Sequence, residues 1–347
     1  MSPALRVLAS GLMTTVQDLG RIGHQHLGVA VSGALDPLSL RAANALAGNP
    51  AGTGALEVAY VGPTLRVEAH EVRLSFAGAP AVIDILPDEH ATDGERIGVM
   101  RSILLHRGEV VRIGSLAGAK LLYVAVEGGF DIAPVLGSVS TYLRGGFGGW
   151  QGRALVAGDV LPLVRDVATG RDESELDGLD LRPPPRFRVV LGPQSDYFSD
   201  RALATFFAGD YGVDAGSDRM GMRLSGPRIE HARGFNITSD AIAPGSIQVP
   251  GNGQPIVLLA DRQTTGGYPK IATVISADLP ALGRLPVGAR IAFEAVTMES
   301  AAAARRALIA EIDGLPGRIV PLRRFGADVA PRLMDRNLIS GVVDAHA

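Results

Sequence analysis

The residue types best suited to chemistry are concentrated at positions 261–270, where the sequence is DRQTTGGYPK. Asp261 offers a carboxylate, Lys270 offers an amine, and Gln263, Thr264 and Tyr268 add neutral donors and acceptors. Such a set can move a proton, polarise a carbonyl group or hold an anion. A loop that only reverses the chain needs fewer of these groups, so we predict a functional site here.

The segments on either side of this turn must position it. Residues 256–259 and 271–275 are rich in Val, Ile and Leu and predict two buried strands. Gly266 and Gly267 predict a backbone with positive φ or a close approach to a ligand, and Pro269 fixes the exit direction. We expect the turn to aim Asp261 and Lys270 into one solvent-accessible cleft.

The scarcity of lysine also points to this turn. The chain has 33 basic residues, but only Lys120 and Lys270 are lysines. A lysine in so arginine-rich a sequence can serve as a compact charge or as a titrating group, which a guanidinium cannot do. The alternative is a surface lysine without a role.

Composition excludes several classes of function. A formal charge of −3 and a pI near 6.2 argue against nucleic-acid binding, which needs a basic face. The absence of cysteine excludes disulfides, thiolate metal sites and a cysteine nucleophile. The pair His24 and His26 lacks a third metal ligand, so we expect no metal site. No signal peptide and no apolar run of membrane-spanning length is visible, so we expect a cytoplasmic protein without membrane contact.

The distribution of glycine and proline predicts a mainly β fold. The 44 glycines and 22 prolines are dispersed among Val, Ile and Leu, and candidate strands recur at residues 55–60, 65–68, 72–76 and 81–85. Residues 108–161 also resemble residues 245–291, which indicates an internal duplication and two barrel-like halves. In the first copy the counterpart of the polar turn is Glu127-Gly128-Gly129, which carries much less chemistry.

These patterns predict four regions. Residues 1–165 form a first barrel-like domain, the acidic and proline-rich residues 166–186 an exposed linker, residues 187–297 a second barrel, and residues 298–347 a C-terminal helix and tail. Asp36 predicts the N-cap of a helix that ends at Gly48, and Thr297 caps the C-terminal helix.

Several ordered blocks also carry a resemblance to a known family. The blocks include TTVQDLGR at 14–21, SGALD at 32–36, GPQ at 192–194, SDRMG at 217–221, GSIQVP at 245–250 and the turn at 261–270. Together they resemble the allophanate hydrolase subunit 2 family, also called the biotin-dependent carboxyltransferase family. It includes the C component of bacterial ATP-dependent 5-oxoprolinase and half of the carboxyltransferase module of urea carboxylase. The resemblance covers residues 5–300 and implies that the two barrels are cyclophilin-like.

The resemblance implies an enzyme subunit that works with other chains. We expect a partner similar to allophanate hydrolase subunit 1 (the B component of 5-oxoprolinase), with a protein like the A component of 5-oxoprolinase as a further possibility, and a small amide or lactam substrate. The first interpretation is opening of 5-oxoproline to glutamate, with ATP used by the complex. The second is a carboxyltransferase that uses biotin on another chain, since neither lysine lies in a biotin-carrier sequence. The third is a regulatory protein that binds its partner and has no activity.

Site residues follow from the turn and the family blocks. We predict Asp261 as a base or an acceptor for the substrate nitrogen, with Lys270 and Thr264 as polarising or anion-holding groups. The predicted substrate-binding residues are Gln263, Gly266, Gly267, Tyr268, Asp18, Arg21, Ser32, Asp36, Glu57 and Arg219. Structural roles stay open for some of them: capping for Asp36, an Asp18–Arg21 ion pair, a buried pairing for Glu57, and pairing of Arg219 with Asp214 or Asp218.

Overall fold

The computed structural model describes residues 2–322 of the 347-residue chain. The fold is mainly β with few helices, as predicted. Part of the predicted C-terminal tail, including the apolar residues 338–343, lies outside the described residues.

The first half builds two sheets. Its strands are β1 (Ala4–Ala9), β2 (Met13–Gln17), β3 (Ala55–Ala59), β4 (Thr64–Val67), β5 (Glu71–Gly78), β6 (Ala81–Leu86), β7 (Glu95–Ile97), β8 (Arg101–His106), β9 (Val110–Leu116), β10 (Leu121–Val126) and β11 (Val160–Pro162). One sheet has the order β11-β1-β4-β9-β6-β7, and the other begins β2-β3-β10-β5-β8. Leu5, Val16, Phe76 and Val124 belong to the core that these strands enclose.

The helix α1 (Pro37–Ala47) covers the second of these sheets through contacts with β5 and β10. The Asp36 carboxylate accepts hydrogen bonds from the amides of Leu38 and Ser39, each at 3.1 Å, and Gly48 ends the helix in the left-handed conformation. The predicted helix and its N-cap are therefore confirmed. The capping fixes Asp36 beneath the junction between the two halves.

The segment predicted as an exposed linker contains a strand. Strand β12 (Ser174–Leu176) pairs with β8, and Ser174 and Leu176 are both buried. The prediction of full exposure is wrong here because strand pairing, which leaves no signal in a three-residue run, buries the segment.

The second half contains ten strands in the described residues, and eight of them form one sheet. Its strands are β13 (Phe187–Leu191), β14 (Tyr211–Val213), β15 (Gly221–Ser225), β16 (Asp240–Ala241), β17 (Ser246–Gln248), β18 (Ile256–Leu258), β19 (Thr265–Gly266), β20 (Lys270–Val274), β21 (Arg290–Ile291) and β22 (Phe293–Ala295). The sheet order is β21-β14-β15-β18-β17-β20-β13-β22, while β16 and β19 pair separately. The predicted strands on both sides of the polar turn are β18 and β20.

The remaining elements close the second half and return to the first. They are α2 (Asp200–Ala208), α3 (Leu279–Arg284), α4 (Met298–Gly314) and β23 (Ile319–Pro321). The hydroxyl of Thr297 caps α4, as predicted, and β23 pairs with β12 in the sheet of the first half. One apolar core runs from Leu40 and Leu46 of α1 to Phe187, Phe206 and Phe293, so the halves pack on each other. No helix in residues 2–322 is long and apolar enough to cross a membrane.

Candidate active site

A cavity of about 290 Å³ lies where three of the sequence blocks meet. Its wall is made by Asp218, Met220, Gly221 and Arg223, by Gln248, Pro250 and Asn252, by Ile256 and Leu258 of β18, by Gln263 and Tyr268 of the polar turn, and by Arg144. All but Arg144 come from the second half. A second cavity of similar volume, beside β8 in the first half, holds none of the predicted site residues.

The polar groups of this cavity suit a small anionic or amide-bearing molecule. Arg144 and Arg223 are exposed, and neither guanidinium forms an ion pair in the described part of the chain. Arg144 donates from Nη1 to the sulfur of Met220 at 2.9 Å, and the charge of Arg223 acts on the carboxylate of Asp214. Gln248 is buried and directs its amide nitrogen to the carbonyl of Tyr268 at 3.4 Å. Asp218 accepts hydrogen bonds from the amides of Met220 and Gly221. Two exposed guanidinium groups therefore line a cavity that also offers side-chain amides.

A network of ion pairs lies behind this wall. Arg219, between Asp218 and Met220, turns away from the cavity and donates from Nε to Asp261 at 3.0 Å and from Nη2 to the same carboxylate at 3.3 Å. It also donates from Nη1 to Glu57 and from Nη2 to the carbonyl of Gly33 at 2.5 Å. Burial opposes the charge of Arg219, but the carboxylates of Glu57 and Asp261 outweigh burial and raise its pKa. Arg219 thus ties the polar turn to the first half.

The network continues through the first half to α3. Tyr123 and Glu57 are cross-strand neighbours on β10 and β3, and the Tyr123 hydroxyl donates to Glu57 at 2.5 Å. The same hydroxyl accepts from the amide of Asp36 at 3.0 Å, and Asp36 pairs with Arg284 at 2.8 Å. Burial, with the charges of Glu57 and Asp36, raises the pKa of Tyr123 well above its usual value. The tyrosine therefore stays neutral and acts as a donor.

Sequence comparison decides the family. The model of the family described as "Carboxyltransferase domain, subdomain A and B" matches residues 27–295. The chain belongs to this carboxyltransferase-domain family.

Individual relatives agree with this assignment. The chain is 37% identical to the C component of 5-oxoprolinase from Escherichia coli K12, over 87% of this chain and 94% of the relative. The crystal structure of TTHA0988 matches with 38% identity and a TM-score of 0.75, over 84% of this chain and 56% of that one. The urea carboxylase of Kluyveromyces lactis matches with 27% identity and a TM-score of 0.80, over 93% of this chain and 31% of that one. The chain therefore spans about half, or less, of these two structural relatives.

The structure separates the two residues that the sequence assigns to one cleft. Asp261 is 3% exposed and bound to Arg219, whereas Lys270 is 2% exposed and donates to Asp240 at 2.6 Å and to the carbonyl of Ala241 at 3.0 Å. The expectation of one solvent-accessible cleft is wrong, because each side chain is buried against its own partner. The catalytic roles of Asp261, Lys270 and the half-buried Thr264 stay predictions.

The prediction of positive φ at the two glycines of the turn is wrong. Neither Gly266 nor Gly267 has positive φ. A Cβ atom at Gly266 would lie 2.6 Å from the Gln248 amide nitrogen and 2.6 Å from the Ile242 terminal methyl group, so a larger residue there would displace the ends of these two side chains. Gln263 and Tyr268 line the cavity, and their substrate-binding roles stay predictions.

Asp18 and Arg21 do not form an ion pair with each other within the described structure. Asp18 accepts from the hydroxyls of Ser138 and Ser140, at 2.7 and 2.5 Å, and from the amides of Gly20 and Val139, so it holds a loop together. Arg21 donates to the carbonyl of Ser140, and burial lowers its pKa against the charges of Asp18 and Asp261.

Arg21 and Ser32 keep unused hydrogen-bonding capacity beside the turn. The Nε and Nη1 atoms of Arg21 and the hydroxyl of Ser32 are buried and have no partner in residues 2–322. Ser32 has φ of 55°, and its amide donates to the carbonyl of Ala260 at 3.1 Å. Of the predicted residues, Ser32, Glu57, Arg219 and Asp261 are joined at this junction, Asp36 contributes a cap, and Asp18 stabilises a loop.

Sequence reasoning missed several members of the site. Tyr123, Arg284 and Asp240 are single polar residues in unremarkable contexts, and only long-range pairing reveals them. Gln248 could have been predicted as a site residue, because it lies in the GSIQVP block at 245–250 that carries the family resemblance. Within residues 2–322 no group of three or more His, Asp or Glu side chains is arranged to hold a metal ion.

Proposed function

We propose that this chain is the substrate-binding subunit of a 5-oxoprolinase-type complex, which opens the lactam 5-oxoproline to glutamate with the use of ATP. The cavity beside the polar turn carries the proposal. 5-Oxoproline has one carboxylate and one lactam amide, and the cavity offers the exposed guanidinium groups of Arg144 and Arg223 together with the amides of Gln248 and Gln263. The name of the Escherichia coli relative supports this substrate.

ATP fits this chain poorly. The cavity of about 290 Å³ is at the small end of ligand sites, and the sequence has no phosphate-binding glycine-lysine loop. We therefore assign ATP to another chain of the complex, in keeping with a partner similar to the B component of 5-oxoprolinase, with or without one similar to the A component. Covalent biotin also fits poorly, because Lys120 and Lys270 are only 8% and 2% exposed.

In this proposal the buried network positions the cavity wall. Asp261 holds Arg219, and Arg219 fixes Asp218 and Met220 on either side of it. Asp261 then acts through Arg219, as a positioning residue. Lys270 reaches a substrate only if Asp240 releases it, so its polarising role, with Thr264, depends on movement of β16.

The test uses the complex copurified through this chain. We expect ATP-dependent release of glutamate from 5-oxoproline, and we expect Arg223→Ala to raise KM about 10- to 100-fold with little change in kcat, since one charge-assisted hydrogen bond to the carboxylate is lost. Arg182→Ala is the matched control, because Arg182 is exposed and its only ion-pair partner among residues 2–322 is the neighbouring Asp180. An unchanged KM for Arg223→Ala would contradict the proposal that the cavity binds the substrate. Full activity of folded Asp261→Asn and Lys270→Ala variants would contradict any role of the polar turn in the activity.

The match to urea carboxylase supports a second candidate, a carboxyltransferase that takes the carboxyl group from biotin on another chain. The match to that structure covers 93% of this chain. Carboxylation of urea by the copurified complex with a biotinylated carrier, without glutamate release from 5-oxoproline, would favour this candidate.

A further inference from the structure

One turn of the first half reaches the cavity in the second half. Residues 142–147 form this turn, and its exposed Arg144 belongs to the cavity wall. The Arg144 guanidinium donates from Nη1 to the sulfur of Met220, another residue of the wall, at 2.9 Å. The position of this turn therefore decides where the Arg144 guanidinium lies in the cavity.

Two aromatic residues close the base of the turn. The amide of Tyr142 donates to the carbonyl of Phe147, and the amide of Gly146 donates to the carbonyl of Tyr142, each at 2.9 Å. The rings of Tyr142 and Phe147 pack edge to face, with centroids 5.5 Å apart and planes at 76°. Arg144 lies between these two residues in the chain, so a shift of the base displaces its guanidinium as well.

Arg21 packs against the base of this turn. It is 1% exposed, and its Cζ lies 4.9 Å from the centre of the Phe147 ring, in a cation–π contact. Its Nη2 donates to the carbonyl of Ser140, just before the turn. A Cβ atom at Gly148, just after the turn, would lie 2.7 Å from the same nitrogen. One guanidinium therefore contacts the chain before, within and after the base of the turn.

Stability alone does not explain these contacts. The Nε and Nη1 atoms of Arg21 are buried without a hydrogen-bond partner in residues 2–322, and Arg21 forms no ion pair there. Asp18, three positions earlier, accepts instead from the hydroxyls of Ser138 and Ser140. Burial of a guanidinium without a carboxylate in direct contact costs folding free energy. A role in placing the turn accounts for a residue with this cost.

We propose that Arg21 is a positioning residue for substrate binding: through Phe147 it holds the turn at residues 142–147, so that the Arg144 guanidinium faces the carboxylate of a substrate in the cavity. Arg21 itself is buried and does not line this cavity in the described structure. It acts through Arg144, in place of the direct substrate contact predicted from the sequence. This inference rests on the function proposed above.

The first experiment reads the position of Arg144 without any substrate. Met220 contacts Arg144, so its methyl signal reports on this contact in the full chain labelled with ¹³C at the methionine methyl groups. The chain has seven methionines, and Met220→Leu assigns the signal. We expect Arg21→Leu and Arg144→Ala to move the Met220 signal in the same direction, since both withdraw the guanidinium from the sulfur. An unchanged Met220 signal in folded Arg21→Leu would overturn the inference.

Arg73→Leu is the matched control. Arg73 is also 1% exposed and also has a buried nitrogen without a partner in residues 2–322, but its hydrogen bonds lead to residues 127, 169 and 171 and not to the turn. We expect Arg73→Leu to leave the Met220 signal and KM unchanged. Changes as large as those of Arg21→Leu would assign the effect to the loss of any buried arginine and overturn the inference.

The second experiment tests whether Arg21 acts through Arg144. In the copurified complex we expect Arg144→Ala to raise KM for 5-oxoproline about 10-fold and Arg21→Leu to raise it about 3- to 10-fold, with little change in kcat, because carboxylate binding is weakened. Arg21→Leu should have no further effect on KM in the Arg144→Ala background. Additive effects would overturn the inference, and so would an unchanged KM with a lower free energy of unfolding, which marks a purely structural role.

Phe147→Leu is the second variant. It removes the ring that Arg21 contacts and keeps both guanidinium groups, so we expect the same rise in KM and the same shift of the Met220 signal. It decides the inference if Arg21→Leu does not fold. A wild-type complex that does not open 5-oxoproline would overturn the proposed substrate, and the Met220 signal would still decide whether Arg21 positions Arg144.

Discussion

The two halves of the molecule each place a buried carboxylate after a central strand and pair it with an arginine. In the first half, Glu127 follows β10 and accepts from Arg73 at 3.1 Å and from the amide of Thr169 at 3.1 Å. In the second half, Asp261 follows β18 and accepts from Arg219 at 3.0 Å. Both halves therefore contain a carboxylate paired with an arginine, but the two arginines contact different parts of the molecule.

Within residues 2–322, Arg73 bonds to Glu127 of the first half and to the carbonyls of Thr169 and Arg171 in the segment that follows it, and it does not contact the second half. Arg219 spans the junction, because it holds Asp261 of the second half and Glu57 of the first half at once. The cavity lies beside the second pair. The comparison teaches that a buried ion pair by itself marks structure, whereas one that joins two halves beside an open cavity can position a site.

The largest expected effect comes from removing the shared arginine. Arg219→Met removes the guanidinium that the buried carboxylates of Glu57 and Asp261 share, and the loss of one partner from a buried pair costs about 3–5 kcal/mol. Arg73→Met is the matched control, since it leaves only Glu127 uncompensated. We expect Arg219→Met to lower the free energy of unfolding, measured by equilibrium urea unfolding, by more than Arg73→Met does. An equal or smaller loss would mean that the junction network does not stabilise the fold.

The second effect separates stability from activity. Asp261→Asn and Glu127→Gln each remove the negative charge that faces an arginine and preserve the shape of the side chain. We expect each change to cost about 1.5–3 kcal/mol of unfolding free energy. We expect similar losses of unfolding free energy for the two variants. Only Asp261→Asn should lower kcat/KM of the copurified complex, by roughly 10- to 100-fold, because displacement of Arg219 shifts the cavity wall. If Glu127→Gln lowers the activity as much, the difference between the halves is not functional.

The same comparison explains how much the sequence could predict. Strands β3, β4, β5, β6, β18 and β20 were readable because their branched residues lie between glycine and proline turns. Helices α1 and α4 were readable because Asp36 and Thr297 are local caps. These signals act over a few residues, so composition and spacing contain them.

The site was only partly readable because its contacts are long-range. Arg219 lies 162 residues from Glu57, and Arg284 lies 248 residues from Asp36. The sequence favoured neither a partner for Glu57 nor a role for Tyr123, because a polar residue in an apolar strand carries no information about which strand will lie beside it. It also joined Asp261 to Lys270, whereas folding gives Lys270 to Asp240 on β16.

A smaller effect compares a buried tyrosine in each half. The Tyr123 hydroxyl donates to the carboxylate of Glu57, whereas the Tyr211 hydroxyl is buried without a partner in residues 2–322. We expect Tyr123→Phe to lower the free energy of unfolding by about 1.5–3 kcal/mol, as for a hydrogen bond to a charged group, and Tyr211→Phe to be neutral or stabilising. Urea unfolding at neutral pH measures both. A loss for Tyr211→Phe equal to that for Tyr123→Phe would show that its hydroxyl is bonded after all.

The smallest effect appears in alkaline solution. Burial raises the pKa of Tyr211 to about 12, above the value of about 10 for tyrosine in an unfolded chain. The contribution of neutral Tyr211 to the free energy of unfolding is therefore fully present below pH 10 and is lost as pH rises toward 12. The reason is that Tyr211 loses its proton at a lower pH in the unfolded chain than in the folded protein. The unfolding free energy of the wild type should consequently fall more steeply than that of Tyr211→Phe over this range, by at most about 1.4 kcal/mol per pH unit. Urea unfolding near pH 9, 10 and 11 tests this, and parallel slopes for the two proteins would mean that Tyr211 titrates as it does in the unfolded chain. Because all other groups are common to both proteins, the difference in slope isolates this one hydroxyl.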